Sequence, residues 1–158
     1  MGRARLTDAG GAQRVRGSDE LVLEIAPEAE QIRTARLFAA AAARHFNVDE
    51  ERVEDLKVAI SEACTNSFRA HQSANLADPV VVVAAPVENG VRYSVVDSGD
   101  GFDPGSHAEP EYTPPTGIFE GSLGLALIRT LFPGVEITRN AGRGMTVSFV
   151  VSASAGDA

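Results

Sequence analysis

The segment EDLKVAISEACTN, residues 54 to 66, is the part of this 158-residue chain that is most informative about the fold. It belongs to a longer segment, residues 49–70, whose apolar residues recur at steps of three and four, and this spacing predicts an amphipathic helix. The inward face of the helix comprises Val53, Leu56, Ile60, Ala63, Ser67 and Phe68. Because Glu62 and Asn66 are four residues apart, they share one helix face, and that face borders the inward one.

Glu62 and Asn66 are the first candidate functional residues. A half-buried carboxylate beside a carboxamide can act as an acid or base next to a metal ligand. The same two residues could equally lie on a solvated helix face by chance. The helix alone does not separate these two interpretations.

The segments around this helix predict an α+β protein. Strands are predicted over residues 21–25, 79–85, 91–96, 135–139 and 145–151, and further helices over residues 29–46 and 122–132. Asn89 and Gly90, between two apolar runs, are typical of a hairpin turn. This order predicts a two-layer α/β sandwich with the helices on one face of a mixed, mostly antiparallel sheet.

Two glycine-containing segments are the other candidate sites. DSGDGF, residues 97–102, directly follows a predicted strand, and its glycines would let a ligand approach the backbone closely. GSLGL, residues 121–125, opens a predicted helix whose free N–H groups and dipole favour a phosphate group. Taken singly, the first segment could be an ordinary tight turn, and the second could serve close helix packing.

The charge balance excludes one large class of partners. With 14 Lys and Arg against 22 Asp and Glu, the net charge is −8, whereas a nucleic-acid-binding domain needs a cationic surface. Direct binding to nucleic acid is therefore not expected, and an acidic surface suits a partner with basic patches. The one cysteine, Cys64, can form neither an intramolecular disulfide nor a cysteine-based zinc site.

The chain is predicted to form one domain in the cytoplasm. Residues 1–20 are predicted to be a disordered arm, residues 21–151 the domain, and residues 152–158 a flexible tail. The first residues contain arginines but lack the apolar core of a secretory signal. No apolar run is long enough to cross a bilayer, so no membrane attachment is expected.

Taken together and in this order, the three segments resemble the GHKL (Bergerat) ATPase fold shared by gyrase-type ATPases and histidine kinases. SEACTN, residues 61–66, is similar to its N box, DSGDGF to its first glycine box, and GSLGL to its second. EDLKVAISEACTN, followed by EYTPP and EGSLGLALI, more closely resembles the anti-sigma-factor serine kinases of the RsbW type. The resemblance extends over about residues 21–151, the whole of the predicted domain.

This resemblance implies ATP and Mg²⁺ as cofactors and gives roles to matched residues. It implies that Asn66 ligates Mg²⁺, that Glu62 is the catalytic general base, and that Asp97 binds the adenine amino group. By the same resemblance, Arg36 on the first helix lies on the partner-binding surface. The implied nucleotide-binding set is Asp97, Gly99, Gly101, Gly121, Ser122, Leu123, Gly124 and Thr146.

Four features depart from the family pattern. Ser122 replaces the usual glycine of the second box, and Met145 stands where many members place a threonine near adenine, with Thr146 one residue later. His71 comes one residue after the usual N-box histidine. Residues 98–128 contain no Lys or Arg, so Mg²⁺ and helix amides would have to neutralise the γ-phosphate.

The implied function is that of an anti-sigma factor with ATP-dependent serine/threonine kinase activity in the regulation of transcription under stress. Such a protein would bind a sigma factor, phosphorylate a STAS-type anti-anti-sigma protein, and form a homodimer. One alternative is a sigma-binding module in which ATP is structural or absent. The other is a switch kinase that acts on a STAS scaffold without binding a sigma factor.

Overall fold

The computed structural model describes the backbone of residues 19–99 and 120–153, and the side chains of residues 19–99 and 124–153. A single turn of 3₁₀ helix, Ala29–Gln31, precedes the first α-helix. The elements in chain order are β1 (Leu21–Ile25), α1 (Ile32–His45), α2 (Glu50–Ser73), β2 (Val80–Val87), β3 (Gly90–Val96), α3 (Glu120–Leu131), β4 (Glu136–Arg139) and β5 (Met145–Ser152).

The five strands form one sheet in the order β1-β2-β3-β5-β4. All four pairings between these strands are antiparallel. The strands β3 and β4 run in the same direction, but β5 lies between them, so they do not pair. The predicted two-layer α/β sandwich is confirmed, and its sheet is antiparallel throughout the described strands rather than mixed.

The hydrophobic core lies between the helices and one face of the sheet. Because side chains alternate along a strand, every second residue of β2, β3 and β5 points to this face. These buried residues are Val80, Val82, Ala84, Val91, Tyr93, Val95, Val147, Phe149 and Val151. The Tyr93 hydroxyl donates to the Ala39 carbonyl at 2.9 Å, which ties the sheet to α1.

Three asparagines in the left-handed region reverse the chain between elements. Asn47 follows α1 at φ 58°, Asn75 follows α2 at φ 52°, and Asn89 lies in the β2–β3 hairpin at φ 65°. Asparagine adopts this region more readily than most residues with a side chain. The hairpin predicted at Asn89 and Gly90 is thus present.

The helix α2 extends to Ser73, three residues past the predicted end at Ala70. The polar residues that follow Ala70 indicated a break in the sequence, but His71 is fully buried and the helix continues through it. This extension places His71 on the same helix as Glu62 and Asn66.

The last strand also runs further than predicted. Ser152 pairs with Gly90 in the sheet, and Ala153 forms a bridge with Val48, so the predicted tail at residues 152–158 begins within β5. Residues 1–18 of the predicted arm and residues 154–158 lie outside the described residues. Across residues 19–99 and 120–153, none of the helices combines the length and apolar character needed to cross a membrane.

Candidate functional site

The candidate site lies where the C-terminal half of α2 passes the end of β3. Ser67, Ala70 and His71 are three and four residues apart, so they project from one face of α2. All three meet the segment Asp97–Gly99, which directly follows β3. A Cβ placed on Gly99 would come within 2.6 Å of the Cβ of Ala70, so this segment lies directly on the helix.

Asp97 is a buried carboxylate held by donors from three parts of the chain. Its Oδ1 accepts the N–H of Gly99 at 3.0 Å and the N–H of Met145 at 3.1 Å. Its Oδ2 accepts the hydroxyl of Ser67 at 3.2 Å. These bonds replace the water that the carboxylate loses on burial. Among the described residues, Ser67 alone donates to Oδ2, which leaves a lone pair of that oxygen for a further donor such as the amino group of a ligand.

The backbone at Asp97 is fixed to β5 and to the turn that precedes it. The Asp97 N–H donates to the Met145 carbonyl at 2.9 Å, and the Asn140 side-chain amide donates to the Asp97 carbonyl at 3.2 Å. Gly144, at φ 96°, lies against the same carbonyl, and a Cβ there would overlap it. Position 144 therefore requires glycine for both its φ and its space.

Glu62 lies one helical turn before Asn66, and its carboxylate meets α3. A Cβ placed on Gly124 would lie only 2.6 Å from Glu62 Oε2, so the missing side chain at position 124 leaves room for this carboxylate. Gly124 belongs to the N-terminal half of α3. This contact brings the predicted base next to the predicted phosphate-binding segment.

Asn66 contains a buried polar atom without a partner. Its Nδ2 is buried and finds no acceptor among the described residues. Because buried polar groups are nearly always hydrogen-bonded, such a donor is expected to meet an acceptor that a ligand supplies. A phosphate oxygen is an acceptor of this kind, and Oδ1 of the same side chain would remain to ligate Mg²⁺. The residues at this site therefore fit a metal-bound nucleotide.

The structure brings Glu62, Asn66, Asp97, Gly99 and Gly124 together around α2. Asn66 is the sequence neighbour of Ser67, whose hydroxyl binds Asp97. Glu62 lies on the same helix and against Gly124. These residues therefore lie close together in the structure. Their roles toward a ligand remain predictions.

Thr146 does not join this group directly. Strand alternation puts it on the opposite face of β5 from Met145, and its hydroxyl donates to Asn140 Oδ1 at 2.6 Å. Thr146 is thus linked to the Asp97 carbonyl through the side chain of Asn140. Arg36 is exposed on α1, and Gly101 lies outside the described residues. For Gly121, Ser122 and Leu123, the structure describes only a helical backbone.

The sequence did not predict the contacts that Ser67, His71 and Asn140 make with Asp97 and Ser98. Ser67 and His71 lie four residues apart on an otherwise apolar face, and this second polar pair was a signal that the sequence offered. Asn140 had no such signal, because its contact with Asp97 spans 43 residues of chain and arises only when β5 pairs with β3.

Comparisons with known proteins agree with this geometry. The family profile described as Histidine kinase-like ATPase domain matches residues 25–151. Serine-protein kinase RsbW of Bacillus velezensis is 32% identical over 129 residues, which cover 78% of this chain and 81% of that protein. Serine-protein kinase RsbW of Bacillus pumilus is 34% identical over 131 residues, with the same coverage of 78% and 81%.

The fold has a counterpart among solved structures. The crystal structure of the RsbU and RsbW domains of a Mycobacterium tuberculosis protein matches with a TM-score of 0.61 at 22% identity. The match covers 84% of this chain and 32% of the longer mycobacterial one, and at this identity it shows the shared fold. Since the family profile spans most of the chain and the curated relatives align over most of their length, the chain belongs to the histidine kinase-like ATPase family and, within it, to the serine-protein kinases of the RsbW type.

Proposed function

We propose that this chain is an anti-sigma factor that uses ATP and Mg²⁺ to phosphorylate a serine or threonine of a STAS-type anti-anti-sigma protein. Phosphorylation would release the STAS protein from the complex, so that the chain could bind a sigma factor. Membership of the RsbW-type kinases supports the kinase activity. The observation that carries the proposal is the contact between Glu62 and Gly124, one helical turn from the unpaired amide of Asn66.

Asp97 and its neighbours would select the adenine base. Ser67, Gly99 and Met145 hold the Asp97 carboxylate in one orientation, so its free lone pair has a fixed direction. An exocyclic amino group can donate to this lone pair, whereas the carbonyl that guanine carries at the same position cannot. The proposed site therefore prefers ATP to GTP.

Asn66 and Glu62 would act on the phosphate side of the site. Asn66 Oδ1 would hold Mg²⁺, which supplies positive charge for the phosphates when it is bound. Phosphate oxygens and water would supply the other ligands, as is usual for Mg²⁺ in nucleotide sites.

Glu62 would then serve as the base. Its carboxylate takes the proton of the attacking hydroxyl as that oxygen bonds to the γ-phosphorus, while the bond from this phosphorus to the bridging oxygen of ADP breaks. Because Gly124 has no side chain, this carboxylate can lie against the N-terminal half of α3. The proposal further requires that the Glu62 carboxylate comes within hydrogen-bonding distance of the substrate hydroxyl.

The exposed face of α1 suits the protein partners. Arg36 is exposed and makes no ion pair with any described residue, and its neighbour Leu37 is 61% exposed, the highest value among the exposed large hydrophobic residues described. Arg33 and Ala41 continue this exposed face. A cationic and apolar face of this kind fits a partner helix that carries acidic and apolar residues. If sigma factor and STAS protein share it, their binding is mutually exclusive.

The open face of the sheet supports a homodimer. On the side away from the helices, β1, β2 and β3 present Val22, Val81, Val83, Ala85 and Val96. A two-fold dimer places the same patch of both copies against each other. The apolar centre of this patch is bordered by Glu24, which pairs with Val81, and by Arg92, which pairs with Ala85, so its edges carry one charge of each sign.

A transfer assay with γ-labelled ATP, the STAS protein and the purified chain tests the proposal, together with a sigma-factor pull-down. Label on a STAS serine or threonine and capture of the sigma factor are both expected. Capture without transfer would show a binding module, and transfer without capture would show a switch kinase that acts on a STAS scaffold.

Competition binding tests the shared surface. Arg36→Ala should weaken both complexes, by ~2–5 kcal/mol where the ion pair is desolvated, and excess unphosphorylated STAS protein should displace the sigma factor. Arg139→Ala, which removes an exposed arginine of β4, is the matched control. A ternary complex that holds both partners on one protomer would contradict the shared surface.

A further inference from the structure

We propose that His71 is a positioning residue for nucleotide binding, because its imidazole clamps the segment that carries Asp97 to the end of α2. The inference rests on the proposed nucleotide site, since Asp97 is the residue whose orientation is secured. His71 has no place in the proposed chemistry itself.

Both nitrogens of the imidazole are used within the protein. His71 is completely buried. Its Nε2 accepts the N–H of Ser98 at 2.9 Å, and its Nδ1 lies 3.0 Å from the Asp78 carbonyl. A carbonyl can only accept, so Nδ1 must carry the proton and Nε2 must be free of one. The geometry therefore requires a neutral imidazole in one tautomer.

The clamp acts on the peptide next to the adenine carboxylate. Ser98 lies between Asp97 and Gly99, and the Gly99 N–H is one of the donors to Asp97 Oδ1. Holding the Ser98 amide against α2 therefore fixes the position of the Gly99 N–H relative to Asp97 Oδ1. The other donors, from Ser67 and Met145, come from α2 and β5 and do not fix this peptide.

The Asp78 carbonyl connects this clamp to the sheet. Asp78 lies in the connection between α2 and β2, two residues before β2 begins. His71 therefore joins three parts of the structure, namely the end of α2, the start of β2 and the exit of β3. A residue that only filled space would need neither hydrogen bond.

Two substitutions separate the hydrogen bonds of His71 from its volume. His71→Gln keeps one donor and one acceptor on a polar side chain, whereas His71→Phe keeps an aromatic ring and removes both bonds. A clamp predicts that Gln preserves the site better than Phe, and simple packing predicts the reverse. His45→Gln, at an exposed histidine of α1, is the matched control.

The experiment combines calorimetry of Mg-ATP binding with amide exchange at Ser98 in the nucleotide-free protein. His71→Phe should raise the Kd for ATP about tenfold, as expected for the loss of a buried hydrogen bond, and should speed exchange of the Ser98 amide. His71→Gln and His45→Gln should stay within about threefold of the unchanged protein. Equal affinity and equal exchange in His71→Phe would overturn the inference.

A measurement on the unchanged protein covers the case in which His71→Phe does not fold. Nitrogen-15 NMR of the imidazole should show a proton on Nδ1 and none on Nε2 at neutral pH. A proton on Nε2 would overturn the clamp. If the unchanged protein failed to bind ATP while the exchange and tautomer results held, the proposed function would fail and the clamp would stand.

Discussion

Asn66 is the residue whose surroundings point most directly to ligand binding. We predict that Asn66→Ala abolishes Mg²⁺-dependent ATP binding in calorimetry, because it removes both the unpaired amide and the oxygen that would hold the metal. Circular dichroism should show an intact fold. Gln72→Ala, which removes an exposed carboxamide from the same helix, should bind ATP normally. Unchanged ATP affinity in Asn66→Ala would remove this residue from the site.

Glu62 should affect phosphoryl transfer, whereas Asn66 should affect ATP binding. Glu62→Gln keeps the shape of the side chain and removes the base, so ATP should still bind while phosphoryl transfer falls by ~10²–10⁴-fold. Glu51→Gln, at an exposed glutamate of α2, is the control and should leave transfer unchanged. Undiminished transfer in Glu62→Gln would show that positioning rather than base catalysis accounts for the rate.

Cys64 gives a prediction about pH that is independent of any ligand. Burial raises the pKa of its thiol from 9.0 to about 12, so the folded state favours the protonated thiol. The associated stability is fully present below pH 9 and is lost as the pH rises towards 12. At pH 8, iodoacetamide should therefore label Cys64 rapidly in denaturant and very slowly in the folded protein. Rapid labelling of the folded protein would contradict this burial.

The pair of helices α2 and α3 is joined at the proposed catalytic carboxylate. A methyl group at position 124 would lie 2.6 Å from Glu62 Oε2, which is the movable end of a side chain, so the fold can adjust by displacing the carboxylate. Alanine also favours a helix interior over glycine by ~1 kcal/mol. We predict that Gly124→Ala keeps or raises the melting temperature while transfer falls at least ~10-fold, since small misplacements of reacting groups are costly.

A matched substitution separates this effect from a general response to alanine. Gly134 lies between α3 and β4, and a methyl group there would meet no atom of the described residues within 4 Å. Gly134→Ala should therefore leave transfer unchanged. If phosphoryl transfer fell in both variants, or in neither, Gly124 would not be required to position the Glu62 carboxylate.

The helices and strands could be predicted from local sequence patterns, whereas their exact ends could not. Apolar spacing predicted α2 because its inward face repeats every three or four residues. Its last turn was missed because the Ser, Asn, Asp and Pro residues after Ala70 indicated a break, whereas Ser98 and Asp78 supply partners for both ring nitrogens of His71. In the same way, Asp97 could be identified from its glycine-rich segment, but its donors Ser67 and Met145 come from distant parts of the chain.

Taken as a whole, the molecule presents three surfaces of different chemistry. The proposed nucleotide site lies between α2, α3 and the exit of β3, the exposed face of α1 carries arginines and Leu37, and the open sheet face carries valines. The helices that the structure describes lie on one face of the sheet, so a dimer through the other face would leave both α1 surfaces accessible. Two active sites and two partner surfaces would then operate on one dimer.

Val83 tests the proposed dimer, because it lies at the centre of the valine patch, opposite Val22 on β1 and Ser94 on β3. Val83→Glu would bring two carboxylates together across a two-fold interface, where desolvation and like-charge repulsion both oppose association. We predict a dimer for the unchanged chain and a monomer for Val83→Glu in sedimentation velocity. Thr138→Glu, on the same face at the β4 edge, should remain dimeric. A monomeric unchanged chain would refute the dimer, and a dimeric Val83→Glu would place the interface elsewhere.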